Sequence, residues 1–334
     1  MITGKQSIRF DHAPYILEAA SVAGKKESEG PLGRQFDIIE SDPMLGKNTW
    51  EEAESELQRL AAQEVLKKSG LKFADIRYIL AGDLLDQMTA TSFGIMDFNI
   101  PLFGLYGACS TMGESIGLGS ILVSGGFAEH VISMASSHYA GAEKQFRFPL
   151  DYGNQRPLAA SWTVTGCGAV IISTKRSHVR VTGITTGKVV DFGVKDSMNM
   201  GACMAPAACD TIYQNFMDFN YMPEEYDRIV TGDLGYIGSD ILIDLLKEKG
   251  FDISKQHMDC GIEIYDQSTQ DTHNGGSGCG CAAVTLCSHL LRQLEKGAWK
   301  KILFIPTGAL LSKTSFNEGR TVPGIAHAVI LEHC

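Results

Sequence analysis

The residue that most invites a chemical reading is Cys109, in Gly107-Ala-Cys-Ser-Thr-Met-Gly-Glu-Ser-Ile-Gly-Leu-Gly119. An apolar run, Leu102-Phe-Gly-Leu-Tyr106, precedes it, and a helix rich in Gly and Ser follows. A cysteine at a helix start sees the positive end of the macrodipole, which favours the nucleophilic thiolate. A buried cysteine at a tight strand-to-helix junction explains the same pattern, and the segment alone leaves both readings open. A second group lies in the polar, aromatic and basic stretch from Ser137 to Pro157. It carries Lys144, Arg147 and Arg156, with Phe146, Phe148 and Tyr152 able to stack on a flat ring. Arginine grips carboxylates in bidentate fashion, so the stretch suits an aromatic acid. Without further context it reads equally as a solvated loop on aromatic anchors.

The remaining candidates are blander. Nine cysteines, an odd count in a long and apolar-rich chain, argue against a disulfide framework and for a reducing compartment. Cys279-Gly-Cys281 has no second Cys/His pair at zinc spacing, so packing explains it better than metal binding. His257, His289, His327 and His333 show no metal spacing, and Met198, Met200 and Met204 read as packing residues. A net charge of -10 argues against nucleic acid and against electrostatic docking on an anionic membrane, a local basic patch aside. Residues 1–10 have no apolar core of a signal peptide, and no run reaches the ~18 apolar residues of a spanning helix. The expected location is therefore cytoplasmic.

These residues need elements to hold them. Thr49-Trp-Glu-Glu52 is a capping box that opens an amphipathic helix to about Lys68. Apolar strands are expected at 76–82, 102–106, 130–135 and 167–172. The second part of the chain repeats this plan. The Gly-Asp-Leu triplets begin at 82 and 232, 150 residues apart. Lys301–Ile305 echoes 130–135, Ala328–Leu331 echoes Ala169–Ile172, and Ile262–Tyr265 stands where the strand before Cys109 stood. The spacing predicts a duplicated α/β unit, residues 1–175 and 176–334, joined near Lys175–His178. Mixed, mainly parallel sheets covered by helices follow.

The strand, Gly-Ala-Cys, Gly-spaced helix and Gly166-Cys-Gly-Ala-Val-Ile-Ile172 together resemble the N-terminal half of the thiolase superfamily. Gly275-Gly-Ser-Gly-Cys-Gly-Cys-Ala-Ala-Val284 and Lys301-Ile-Leu-Phe-Ile-Pro-Thr-Gly308 resemble its closing region. The branch containing the type III ketoacyl synthases is the nearest in pattern. The resemblance implies a layered α/β/α/β/α arrangement and puts Cys109 at the acyl-accepting cysteine. It also exposes departures. The stretch that holds the synthases' catalytic His reads Ile229-Val-Thr-Gly-Asp-Leu-Gly235, with Gly232 and Asp233 at that place. Glycine has no side chain to donate, and aspartate repels a developing anion. The loop that holds the synthases' helper Asn reads Thr272-His273-Asn274-Gly-Gly-Ser277.

Ala142-Glu-Lys-Gln-Phe-Arg-Phe-Pro149, Tyr152-Gly-Asn-Gln-Arg-Pro157 and Trp162-Thr-Val-Thr-Gly-Cys167 carry a closer resemblance, to the thiolase-like stage V sporulation proteins of spore formers. That resemblance implies a protein that binds dipicolinic acid, free or as its calcium chelate, during sporulation and germination. It implies a peripheral place at the inner spore membrane, against membrane subunits of the dipicolinate channel, and a homodimer through the strand beside Cys109. The ligand would meet Cys109, Lys144, Arg147, Arg156, Gly232, Asp233, His273 and Asn274, with Asp233 able to meet calcium. No cofactor is expected. The alternatives are a condensing enzyme using Cys109, and a scaffold whose pocket is vestigial.

Overall fold

The computed structural model describes residues 1–147 and 155–334. Phe148 and Tyr152 lie outside the described residues. Ten strands form the framework. In the first half they are β1 (Tyr15–Gly24), β2 (Tyr78–Gly82), β3 (Leu102–Gly104), β4 (His130–Ser137) and β5 (Gly166–Ser173). In the second half they are β6 (Val179–Thr185), β7 (Arg228–Thr231), β8 (His257–Asp259), β9 (Lys301–Ile305) and β10 (Ala328–His333).

The duplication expected from the sequence is written in the pairing. The first half has the order β1-β5-β4-β2-β3 and the second β6-β10-β9-β7-β8. In each, the first two pairings are antiparallel and the last two parallel. The halves join where β6 meets β1, through Val179 opposite Ile16 and Arg180 opposite Tyr15. β4 and β5 are buried at every residue, which is why they read as unbroken runs of apolar and small side chains.

Helices fill and cover the sheet. α1 (Trp50–Ser69) begins at the Thr49–Glu52 capping box and ends at Gly70, whose φ of 72° needs glycine. It packs outside β1, β5 and β4. α2 (Thr111–Ser124) packs on β2 and β4 and also on β10 of the other half. Short α3 (Tyr139–Phe146) follows β4. α4 (Met200–Phe219) and α5 (Gly235–Glu248) pack together on the second half. α6 (Cys279–Thr285) touches α2 and rests on β1, β4 and β5 of the first half. α2 and α6 are thus the shared middle layer, and the fold is the thiolase-like α/β arrangement.

One expected strand is not there. Residues Cys260–Glu263 form a turn of helix, and the strand is β8, just before it. An apolar run of four fits either form. Gly261 lies so close to the Gly276 carbonyl that any side chain would clash, and Tyr265 is buried with its hydroxyl on Glu27. Packing against these partners overrides the β-forming tendency of Ile262 and Ile264.

Candidate functional site

Cys109 is presented by a tight elbow between β3 and α2. Gly82 allows the close approach, since a Cβ there would lie 2.0 Å from the Leu105 carbonyl oxygen. Ala108 takes φ +48°, an uncommon conformation for a residue with a side chain. The Ser110 hydroxyl donates to Gly107 O at 2.7 Å and the Thr111 hydroxyl to Ala108 O at 2.7 Å, pinning the turn.

The environment of the thiol reverses the expectation of a helix-activated thiolate. Cys109 is buried, and its pKa is shifted well upward, first by burial and then by the charge of Asp233. Asp233 follows β7 and is 1% exposed. Its carboxylate accepts from the Thr307 hydroxyl at 2.8 Å, the Ser277 hydroxyl at 2.8 Å and the Gly278 amide at 3.0 Å, with the Cys109 thiol as a further donor. Burial nevertheless raises its pKa to about 6. A built-in anion therefore occupies the donors that an oxyanion would need, and the thiol stays protonated at neutral pH. The same donors saturate the lone pairs that calcium would need. Gly232 has no room for a side chain: a Cβ would lie 2.9 Å from Thr307 N. Of the two residues at the synthase His position, Asp233 is the one that faces the thiol.

The cavity beside Cys109 measures about 30 Å³, between Leu84, Tyr106, Phe146, Arg147, Met200 and Leu311. That is water-sized and too small for an acyl chain.

The cations fall into two places. Arg147 lines the cavity mouth and pairs with buried Glu143 one helical turn earlier, leaving its Nε without a partner among the described residues. Arg156 has a side chain 1% exposed. Its Nη2 donates to the Asp271 carbonyl oxygen at 3.0 Å and to the exposed Asp271 carboxylate at 3.3 Å, while Nε and Nη1 are buried without a partner among the described residues. Its guanidinium lies 4.8 Å from the Trp162 ring centre, and Lys26 Nζ lies 4.1 Å from the same ring. Burial lowers the pKa of Lys26. Tyr139 stacks on Trp162 at 3.9 Å. Trp162 and Thr163 pair with Gly276 and Ser277 in a two-stranded ribbon, and Thr163 and Ser277 line the Cys109 cavity. The aromatic, cationic wall is thus the neighbour of that cavity.

Other expected residues lie elsewhere. Lys144 pairs with Glu51 at 2.6 Å on the exposed side of α3. His273 bonds the Pro157 carbonyl and Asp271, joining the Arg156 cluster and not the thiol. Asn274 caps α5: its Oδ1 accepts from Ile237 N at 2.9 Å and its Nδ2 donates to Leu234 O at 3.2 Å. Lys26, Trp162, Tyr139 and Thr307 were not foreseen. Trp162 and Thr307 lie inside motifs that the sequence already marked, whereas nothing around Lys26 announces it. Among the described residues no group of three or more His, Cys, Asp or Glu could hold a metal ion.

The model of the family described as stage V sporulation protein AD matches residues 4–332. The chain belongs to the stage V sporulation protein AD family. The Bacillus subtilis (strain 168) stage V sporulation protein AD is 44% identical over 331 residues, covering 99% of this chain and 98% of that protein. Solved structures share the fold at low identity. The 3-oxoacyl-acyl-carrier-protein synthase III of Aquifex aeolicus VF5 is 13% identical with a TM-score of 0.59, covering 96% of this chain and 100% of its own. Xanthomonas campestris OleA is also 13% identical with a TM-score of 0.59, covering 99% of each chain. The tetronic acid condensing enzyme AbyA1 is 16% identical with a TM-score of 0.58, covering 96% of this chain and 99% of its own.

In this member of the stage V sporulation protein AD family, eight cysteines are buried and Cys334 is exposed. Iodoacetamide at neutral pH is therefore expected to modify the native protein once, at Cys334, leaving Cys109 intact until denaturant is added. Peptide mass mapping checks this, and rapid native labelling of Cys109 would contradict a buried, protonated thiol.

Proposed function

We propose that the chain binds dipicolinic acid, free or as its calcium chelate, without turning it over, as part of the machinery that moves this acid into and out of the spore. The observation that carries the reading is the buried, half-partnered guanidinium of Arg156, beside Lys26 and next to Arg147 on an aromatic wall. A buried cationic donor without an acceptor is costly, and a ligand carboxylate relieves that cost. Dipicolinate is a flat ring with two carboxylates, so it offers one to each of two guanidinium groups and a face to the aromatic wall. No helix among the described residues is long and apolar enough to cross a membrane; the reading places the chain peripherally at the inner spore membrane, against membrane subunits of the dipicolinate channel. Calorimetric titration with dipicolinate, with and without calcium, is expected to give saturable heat. Picolinate, with one carboxylate, is expected to bind at least about tenfold more weakly. Equal heats for both acids, or none for either, would remove this reading.

The elbow at Cys109 favours a second reading, an acyl-transferring condensing enzyme. The protonated thiol, the facing Asp233 carboxylate and the water-sized cavity oppose it. Intact mass after incubation with acetyl-CoA is expected to show no adduct; an acetyl group lost in Cys109→Ser would establish the enzyme.

We also propose a homodimer through β3. Among the described residues this strand pairs only with β2, and its Leu102 and Phe103 are exposed, as are Phe93 and Met96 of the segment before it. An unpaired, apolar sheet edge is the usual place for a second copy to add its strand. Light scattering is expected to give twice the chain mass, falling to one chain in Phe103→Glu.

A further inference from the structure

A sizeable cavity lies away from Cys109, at the seam of the two halves. It measures about 710 Å³ and is an open groove floored by the β1–β6 junction. Three guanidinium groups line it, those of Arg9, Arg176 and Arg180. In a chain of net charge -10 this is a local reversal of sign.

Each arginine is held differently. Arg9 lies flat over two rings, 4.9 Å from the centre of Phe219 and 5.7 Å from that of Tyr221. Gly183, opposite Arg9, makes room for this platform, since a Cβ there would lie 2.7 Å from Phe219. Arg9 has one long bond, 3.4 Å to the Tyr221 hydroxyl, and no carboxylate partner among the described residues. Arg176 is exposed and makes no ion pair among them. Arg180 reaches Glu332 at 3.1 Å, but Glu332 also serves Lys301 at 3.3 Å, and the Arg180 Nε is buried and unpartnered. The other lining acid, Asp11, is exposed and pairs with the Met1 ammonium at 3.6 Å rather than with an arginine. The groove therefore offers more guanidinium donors than it has acceptors.

We propose that this groove is a binding site for a phosphate-bearing anion. A single arginine satisfies a planar carboxylate in bidentate fashion, whereas three guanidinium groups from separate strands and loops suit the several oxygens and the charge of a phosphate. The aromatic platform keeps Arg9 ordered before the ligand arrives, which lowers the entropy lost on binding. Two sources share this chemistry. A soluble phosphate ester could enter the groove. An anionic lipid headgroup could do so too, with exposed Phe127 next to the lining Gly126 and exposed Met222 next to Tyr221 able to meet the acyl region.

The test uses the full chain, inorganic pyrophosphate in calorimetry, and sedimentation with vesicles of phosphatidylglycerol in phosphatidylcholine. Pyrophosphate is expected to bind, more weakly as salt rises, and Arg9→Gln and Arg176→Gln are each expected to weaken it at least about tenfold. Arg176 makes no contact that folding needs, so its variant keeps the test valid if Arg9→Gln folds poorly. Vesicle capture that depends on phosphatidylglycerol and is lost in the variants makes the source a lipid headgroup. Pyrophosphate binding without capture makes it a soluble ester. Absence of both at low salt, or binding that both variants retain, overturns the site. Dipicolinate titrated into Arg176→Gln is expected to keep its parent affinity; a matching loss would mean that dipicolinate uses this groove.

Discussion

Arg156→Ala is expected to weaken dipicolinate binding by roughly thirtyfold or more while leaving the protein folded. Truncating one member of a buried charge pair costs about 2–5 kcal/mol of binding, and 1.4 kcal/mol is tenfold. In the free protein the same change removes a cation whose Nε and Nη1 have no acceptor among the described residues, which offsets the lost packing on Trp162 and the lost bonds to Asp271. The free variant should therefore melt within a few degrees of the parent, and only the shift produced by ligand should vanish. Arg156→Lys is expected to recover part of the affinity, since an ammonium keeps the charge but not the planar fork. Calorimetry and thermal melts with and without ligand check both. A large fall in the melting point without ligand would make Arg156 a structural residue.

Asp233→Ala is expected to destabilise the fold by about 3–5 kcal/mol, read from urea unfolding at pH 7. The change strands the Thr307 and Ser277 hydroxyls and the Gly278 amide in a dry interior, at about 1–3 kcal/mol for each unsatisfied group. Relief of the buried charge offsets part of this. The pH dependence has a definite sign. Asp233 has a pKa of about 6 in the folded chain against an ordinary 3.8. The folded state thus holds the proton more tightly, so this group's favourable contribution is full below about pH 4 and is lost as pH rises through 6. The difference corresponds to about 3 kcal/mol. Burial also raises Glu27, Glu54 and Asp83, which act in the same direction. The comparison that matters is therefore between parent and Asp233→Asn, which cannot ionise and should lose less stability between pH 5 and 7. Parallel pH profiles would mean that Asp233 does not titrate there.

The duplication was legible because both Gly-Asp-Leu triplets do the same job. Asp83, like Asp233, is a buried carboxylate at a strand end, taking the amides of Leu85 and Thr91 and the Thr91 hydroxyl. A buried acid at a turn needs a fixed set of neighbours, and such sets leave a trace in sequence. The Cys109 elbow was legible for the same reason, through its glycines. The acidity of the thiol was not. Local sequence shows the helix start, but burial and Asp233, 124 residues further on, decide the sign. The cationic wall was half legible. Arg147 and Arg156 stand in a marked basic stretch, but Lys26 reaches Trp162 from the far end of β1. His273 and Asn274 were read as residues the ligand would meet; the first turns to Asp271, beside Arg156, and the second caps α5, orientations that local sequence does not show.

The interleaving of the middle layer bears on how the chain is made. α6 lies on β1, β4 and β5, yet it begins at Cys279, long after those strands have been synthesised. α2 waits likewise for β10, whose last residue is His333. Neither half can complete its interior until the segments that carry α6 and β10 have been made, and until then the growing chain exposes the apolar inner face of its first sheet.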